Sequence, residues 1–462
     1  MADSFAHLAT DDEKDFSLQD GSRIAVVGSG PAGSFFSYFL LKMASAIDLN
    51  LEVDVFEPRS FRYCGPAGCN HCGGIVSESL VQILAAEGIV LPRDVVQKGV
   101  ESYIVHMDVG DVPIESPVHE RRIAALYRGN GPREGGDAPL QSFDGYLQDM
   151  AVSRGARIVR KLITGIDWSD DLPRLRFADG ASDNYDLIAV AAGVNSNFLK
   201  LLEDAPCGIE PPRTTRGYIC EFRSTEEEIR RILGNSVHVF LLDIPRFEFA
   251  AIIPKGQFAT VVMVGDDLDQ ELVHRFLNDP VVRRAFPTDS VPCVCSCSPL
   301  INLGARTRPY GDRIVMVGDS GVTRLYKDGI GAAFRTGKAA ATTAIFHGVA
   351  KESFARHFWP ACRNIVNDNS VGKLMFATNA IMKNSRFTRR AMLRMARREQ
   401  STAGAKPHMS SLLWNMFTGS APYVEMFRGT MHPGFIAHLA GSLVAGLRPG
   451  EKNAPATRDR LA

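Results

Sequence analysis

The chain has 462 residues, 45% hydrophobic and 23% charged, which excludes a disordered chain and suits two or three packed domains. Its 52 basic and 52 acidic residues cancel to a net charge of +0. The basic excess of a nucleic-acid-binding protein is missing, and no such partner is expected.

Residues 1–21 are polar and acidic, with Asp11, Asp12, Glu13 and Asp15, and read as a loose tail. That start lacks the basic region and apolar core of a secretion signal. With nine cysteines in the chain, a reducing cytosol is the expected compartment, where thiols stay free, catalytic or metal-bound. No apolar run approaches the roughly 18 residues of a membrane-spanning helix.

Arg23-Ile24-Ala25-Val26-Val27 reads as a short buried strand, and Phe35 to Ile47 is apolar at helical spacing. A second strand, Leu51 to Phe56, ends at Glu57. Between strand and helix lies Gly28-Ser29-Gly30-Pro31-Ala32-Gly33. This is one strand–helix–strand unit with G-x-G-x-x-G in the context that motif requires. Gly28 permits the tight turn, Gly30 lets backbone N–H groups approach a pyrophosphate, and Gly33 lets helix and strand pack closely. Pro31 and Ala32 complete the turn, and the helix N-terminus faces the anion. The Glu57 carboxylate can accept hydrogen bonds from an adenosine ribose. A dinucleotide site is therefore expected here.

A cysteine- and glycine-rich loop over 59–76 precedes a helix near 77–87. Residues 99–140 are mixed and turn-rich. A helix near 143–154 leads to strands near 157–167 and 173–178, then to a buried strand over 186–193 ending at Gly193. Residues 197–300 alternate strand-like runs with helical ones near 226–234 and 268–278, the pattern of an α+β domain with a mostly antiparallel sheet. A strand over 313–317 then closes on Gly318-Asp319, and a small-residue helix runs over 330–346. Residues 350–462 read mainly helical.

Three separated signatures, the first turn, Gly193 and Gly318-Asp319, are similar to those of FAD-dependent oxidoreductases with the glutathione-reductase type of FAD domain. That resemblance implies FAD, with Asp319 on the ribityl chain and a helix start at Gly329-Ile330-Gly331 facing the flavin pyrimidine ring. A positive helix end there suits the negative charge of a reduced flavin. The domain order resembles the p-hydroxybenzoate hydroxylase superfamily. Within it, Cys72-Gly73-Gly74, Phe143-Asp144-x-Tyr146-Leu147 and Gly155-Ala156-Arg157-Ile158 resemble segments of the geranylgeranyl reductase family. The likeness covers residues 22–350. It implies an arginine on the FAD phosphates, for which Arg128 is the first candidate and Arg122 the second. The run Ser320 to Gly329 departs from that family, and Lys327 and Asp328 are expected at the flavin edge.

Cys64-x4-Cys69-x2-Cys72 has the spacing of three ligands of a [2Fe–2S] centre, and Cys293, Cys295 and Cys297 form a second group. Alternation along a strand would send those last three to one face, as small hydrophobes. The first group follows the ribose-binding strand, where a loop covers the isoalloxazine in proteins of this type. Cys72 is accordingly the candidate flavin-adjacent thiol, and no metal is assigned. His71, Cys72 and Tyr326 are the candidate proton donors. His106, His119, His238 and His274 read as ordinary core or surface residues.

In the C-terminal part, Lys383, Arg386, Arg389, Arg390, Arg394, Arg397 and Arg398 share one side of a helix, which suits an anionic membrane surface or docking on the chain's own FAD domain. The fold expected is α/β. It has a Rossmann-like FAD-binding domain over 22–98, 141–196 and 301–350, an inserted α+β substrate domain over 99–140 and 197–300, and a helical extension over 351–462. The activity implied is hydride transfer from FAD to a hydrophobic acceptor, a prenyl-lipid C=C bond or a quinone-like molecule. NAD(P)H or an electron-carrier protein would be the reductant. The place implied is the cytoplasm, with peripheral contact at the inner face of the membrane. Rival readings are an aromatic monooxygenase, a quinone-linked dehydrogenase with an iron–sulfur centre, and a membrane-surface flavin-binding scaffold.

Overall fold

The computed structural model describes residues 16–61, 72–116, 123–131, 141–203, 205–286, 293–402 and 404–446. A six-stranded sheet runs in the order Tyr310–Gly311, Ile314–Met316, Leu187–Val190, Ser22–Val27, Leu51–Phe56, Arg157–Val159. Its pairings are parallel apart from the edge hairpin of Tyr310–Gly311 with Ile314–Met316. Ile24, Ala25 and Val26 are fully buried, because helices or strands cover both faces. That is why this strand is apolar throughout instead of alternating.

One face carries the helices Pro31–Ala46 and Gly329–Phe346, side by side. Phe334 meets Phe35 and Phe39 edge-to-face, with centroids 5.5 and 5.4 Å apart. Small residues let the helix starts approach: a Cβ on Gly337 would lie 3.2 Å from the Ala32 carbonyl oxygen. The other face is covered by helix Phe198–Glu203 and a three-stranded antiparallel sheet, Ile163–Ser169, Leu172–Phe177 and Ser182–Asn184. The run expected as one strand over 157–167 is thus two strands in two sheets. The break has a polar cause: Arg160 turns out of the strand, and its guanidinium donates to the Glu57 carbonyl at 2.6 Å.

A second, seven-stranded sheet runs Cys293–Cys297, Tyr218–Arg223, Phe258–Gly265, Phe247–Lys255, Ser236–Phe240, Ser102–Met107, Gly110–Glu115. It is antiparallel except between Ser236–Phe240 and Ser102–Met107. Helices Glu226–Leu233 and Gln270–Leu277 cover one face with Ile229, Leu233, Val273 and Phe276. Thr225 and Asp269 cap them, each accepting from a first-turn N–H. A small sheet of Ile75–Val76, Ile123–Leu126 and Val96–Val100 joins the two layers. Ala124 and Leu126 face the first core, and Ile123 and Ala125 the second.

The three cysteines of the edge strand do not share a face. Glu221 pairs with Cys295 but Phe222 with Cys293, so Val294 is an extra residue that flips Cys293 to the opposite side.

The C-terminal part comprises helices Trp359–Lys383, Arg386–Ser401, His408–Thr418, Tyr423–Thr430 and Pro433–Gly446. The basic helix lies on the seven-stranded sheet, not on the six-stranded parallel one. Arg389 is buried and donates to both Asp108 oxygens at 2.7 and 3.1 Å. Arg397 donates to the Asp111 carbonyl, Arg394 to that of Ser442, and Lys383 to that of Phe247. Much of the expected basic face is therefore used inside the chain, while Arg390 and Arg398 stay exposed. Among the described residues, no helix is long and apolar enough to cross a membrane.

Candidate functional site

The glycine turn divides its labour by geometry. A Cβ on Gly28 would lie 2.6 Å from the Ala191 carbonyl oxygen, and one on Gly33 only 1.9 Å from that of Gly28. Both are fixed by packing. At Gly30 the nearest atom is 3.7 Å away, on Asp144. Gly30 is therefore the one member of the motif that leaves room outside the fold. It is also the N-cap of Pro31–Ala46, with no side-chain cap and no acid in the first turn. Ser34 donates its N–H to the Gly30 carbonyl, so the first-turn N–H groups of Ala32 and Gly33 are the ones left to attract an anion.

One buried ion pair stands beside this turn. Arg128 clasps Asp144 with two hydrogen bonds of 2.6 and 3.1 Å. Burial opposes its charge, but Asp144, Cys72 and Asp319 outweigh that and raise its pKa. Gln148 donates to the Ser29 hydroxyl at 2.9 Å, which ties helix Phe143–Val152 to the turn.

Glu57 is buried and accepts from the Ser29 N–H at 3.1 Å and from the Arg59 N–H at 3.0 Å. The Arg59 guanidinium also donates to both its oxygens, at 2.9 and 3.2 Å. A carboxylate offers about four acceptor positions, and these bonds use them all. A ribose hydroxyl must therefore displace the Arg59 side chain, which lies over Phe61 and is 35% exposed. Sequence reading passed over Arg59. Its signal was its place two residues beyond the strand-ending acid.

The distant signatures meet the same region. Gly193, at φ +69°, donates its N–H to the Ser320 hydroxyl at 2.8 Å. Gly318 has φ +61°, and a Cβ there would lie 2.6 Å from that of Ala32. It brings the two helix starts together. The exposed Asp319 carboxylate is 3.6 Å from where a Gly329 Cβ would stand. Ile330 is buried behind it, whereas Gly331 makes room for the Asp328 side chain, 2.1 Å from its Cβ position.

Lys327 and Asp328 line the same cavity as Asp319 and Gly329, with their charges engaged inside the chain. Asp328 pairs with Arg324 at 3.0 Å and Arg335 at 2.9 Å. Lys327 donates to the Asn415 and Ala421 carbonyls at 3.2 and 3.1 Å and lies 4.0 Å over the Tyr423 ring. Burial, then Arg324, pushes its pKa down to about 7. Arg324 extends the clamp to Asp368 at 3.2 Å and to the Gly419 and Ala421 carbonyls. The loop that departs from the family pattern is what anchors the C-terminal helices.

Between the two sheets lies a cavity of about 220 Å³. Cys72, Gly73 and Gly74 line one side, Asp319, Gly329 and Ile330 another, and Tyr326 a third. Val237, Val239, Ile253 and Val262 supply an apolar floor, and Met416 and Phe417 of the extension close over it. Tyr326 stacks edge-on against Phe376 at 5.1 Å, and burial pushes its phenol up to about 12. Two buried hydroxyls on the wall, Tyr103 Oη and Thr323 Oγ1, have no hydrogen-bond partner among the described residues. Cys72 and Tyr326 thus share one cavity. His71, Cys64, Cys69, Arg122 and His119 lie outside the described residues. Among those described, no group of His, Cys, Asp or Glu is arranged to hold a metal ion.

Lys255 was not singled out from sequence. It is fully buried beside Gly74, and its amine has no hydrogen-bond partner among the described residues. Burial pushes its pKa down, with Glu221 and Cys72 opposing and Arg128 adding to the fall. The unfolded chain then binds more protons between the folded pKa and roughly 10.5, so this group's contribution to stability rises with pH there. Lys255→Met is expected to stabilise the chain at pH 7 by about 1 kcal/mol or more, because it removes an unpaired buried polar group. Chemical denaturation at several pH values checks this: the gain should shrink as pH climbs towards 10.

The parallel sheet, the glycine turn and the Gly318-Asp319 junction together define a Rossmann-like dinucleotide fold, with a mostly antiparallel seven-stranded sheet inserted in it. No protein-family model matches the sequence, and no curated protein does. Solved structures do match. A geranylgeranyl bacteriochlorophyll reductase-like protein from Thermoplasma acidophilum is 15% identical, with a TM-score of 0.63 over 90% of this chain and 99% of that one. Halogenase PltM in complex with phloroglucinol and FAD is 12% identical, with a TM-score of 0.57 over 93% and 97%. The p-nitrophenol 4-monooxygenase PnpA from Pseudomonas putida DLL-E4 is 12% identical, with a TM-score of 0.56 over 88% and 100%. The chain shares its fold with these three proteins.

Proposed function

We propose that this chain is a FAD-dependent oxidoreductase acting on a hydrophobic acceptor, in the manner of a prenyl-lipid C=C reductase. One observation carries the reading: the apolar cavity that holds Cys72 and Tyr326 opens onto Asp319 and the start of helix Gly329–Phe346. The residues present fit FAD. Gly30 leaves a cradle for a pyrophosphate, Arg128 stands beside it as a cation, and Glu57 and Asp319 offer carboxylates at either end. Bound there, FAD would supply two-electron hydride chemistry.

The chain's own residues do the rest. The N-terminus of Gly329–Phe346 favours negative charge beside it. Val237, Ile253, Val262 and Phe417 exclude water and hold an apolar substrate. Burial pushes the Tyr326 phenol up to about 12, so Oη holds its proton at neutral pH; Cys72 Sγ faces the same cavity. NAD(P)H or a small electron-carrier protein is proposed as reductant, in the cytoplasm. The exposed Arg390 and Arg398 are proposed as contacts to an anionic membrane surface.

A second reading, an aromatic monooxygenase, draws on the cavity wall. The unpartnered hydroxyls of Tyr103 and Thr323 suit a substrate with oxygen substituents better than a bare prenyl chain. Anaerobic turnover separates the two. The dithionite-reduced protein, mixed without oxygen with a geranylgeranyl lipid, should re-oxidise and add two hydrogens to a double bond. Re-oxidation only in oxygen, with hydroxylation of an offered phenol, would replace the first reading with the second.

A further inference from the structure

We propose that Cys293 and Cys220 are an oxidisable pair, a modification site at which a hydroperoxide converts two thiols into a cross-strand disulfide. The inference is independent of the flavin reading. Cys293 is exposed at the start of the edge strand Cys293–Cys297, and Cys220 is buried in the neighbouring strand Tyr218–Arg223. The extra residue Val294 puts both on the same face of the sheet. Cys220 stands opposite Ser296 and Cys293 opposite Phe222, so the two are diagonal neighbours two register positions apart, near enough for each thiol to perturb the other. Cys295 and Cys297 pair with Glu221 and Ile219 and so point to the other side.

The two thiols are unequal in the way a reactive and a resolving cysteine must be. Cys220 holds the Cys293 thiol down to about 7, against the effect of its partial burial. Burial pushes Cys220 up, and Cys293 adds to that. Cys293 is thus the exposed nucleophile and Cys220 the protected partner.

The chemistry balances in two steps. The Cys293 thiolate attacks a peroxide oxygen; an S–O bond forms, the O–O bond breaks, and hydroxide leaves, giving a sulfenic acid. Cys220 then gives up its proton and attacks the Cys293 sulfur; an S–S bond forms and the S–O bond breaks. With two protons taken up by the departing oxygens, the sum is two thiols and one hydrogen peroxide to one disulfide and two waters. The edge strand is hydrogen-bonded to a neighbour on one side only, so it can shift to bring the sulfurs to bonding distance.

The test is peptide mapping of the folded, full-length chain after equimolar hydrogen peroxide, thiol blocking and digestion with trypsin without reduction. The expected product links Gly217–Arg223 to the peptide carrying residues 293–297, lighter by two hydrogens and released by dithiothreitol. Cys295→Ser and Cys297→Ser should keep the link, and Cys293→Ser, a change at an exposed position, should abolish it. A link that survives Cys293→Ser overturns the assignment. So does wild-type protein that shows only sulfinic or sulfonic acid at Cys293 and no linked peptide.

Discussion

A Gly30→Val chain is expected to fold normally and to lose FAD. The backbone at Gly30 is at φ −66° and ψ −175°, which valine adopts freely, and its nearest neighbour is 3.7 Å from the new Cβ. The change should therefore cost the ligand-free protein about 1 kcal/mol or less, the scale of an altered helix cap. The isopropyl group would stand where a pyrophosphate meets the helix N-terminus. We expect FAD affinity to fall at least ~100-fold, about 3 kcal/mol. Gly33→Ala is the contrasting control: its Cβ would lie 1.9 Å from the Gly28 carbonyl oxygen, so it should damage folding and binding together. Flavin fluorescence titration beside thermal melting separates the two. A Gly30→Val protein that binds FAD normally would move the site elsewhere.

Arg324→Met is expected to be the most damaging single change outside the parallel sheet. Arg324 is 6% exposed and donates to Asp328, Asp368 and two carbonyls of the 419–421 turn. Removing it leaves Asp368 facing the Val424 N–H and Asp328 paired with Arg335. Breaking a buried charge network on one side costs about 3–5 kcal/mol. Hydrogen exchange should quicken first in His408–Thr418 and Tyr423–Thr430, the helices that this clamp holds over the cavity. Asp328→Asn with Asp368→Asn in the same chain should recover part of the loss. Unchanged exchange in those helices would show that their apolar contacts alone hold them.

The parallel sheet and its glycine turn were legible because local pattern and global role agree there. Ile24 to Val27 is apolar at every position, since both faces are covered, and Gly28 and Gly33 are required by atoms that close neighbours present. Gly193, Gly318 and Asp319 were legible as strand ends. What escaped was set by distant partners. Arg389 reads as part of a basic stripe until Asp108, far back in the chain, claims it. Nothing local to Lys327 and Asp328 announces that Asn415, Ala421 and Arg335 engage their charges. Val294 carries no mark of the bulge that turns Cys293 over. The cavity draws on several separated segments, from Cys72 to Thr418, and no local pattern announces Tyr103, Thr323 or Lys255.

The account rests on one chain gripping one flavin between the glycine turn and the Gly318-Asp319 junction. The most direct test is the visible spectrum of the purified, folded protein, with the released cofactor identified by mass and the metal content measured. The prediction is the two-band spectrum of an oxidised flavin, about one FAD per chain and no iron. A colourless protein that stays so when FAD is offered would contradict it.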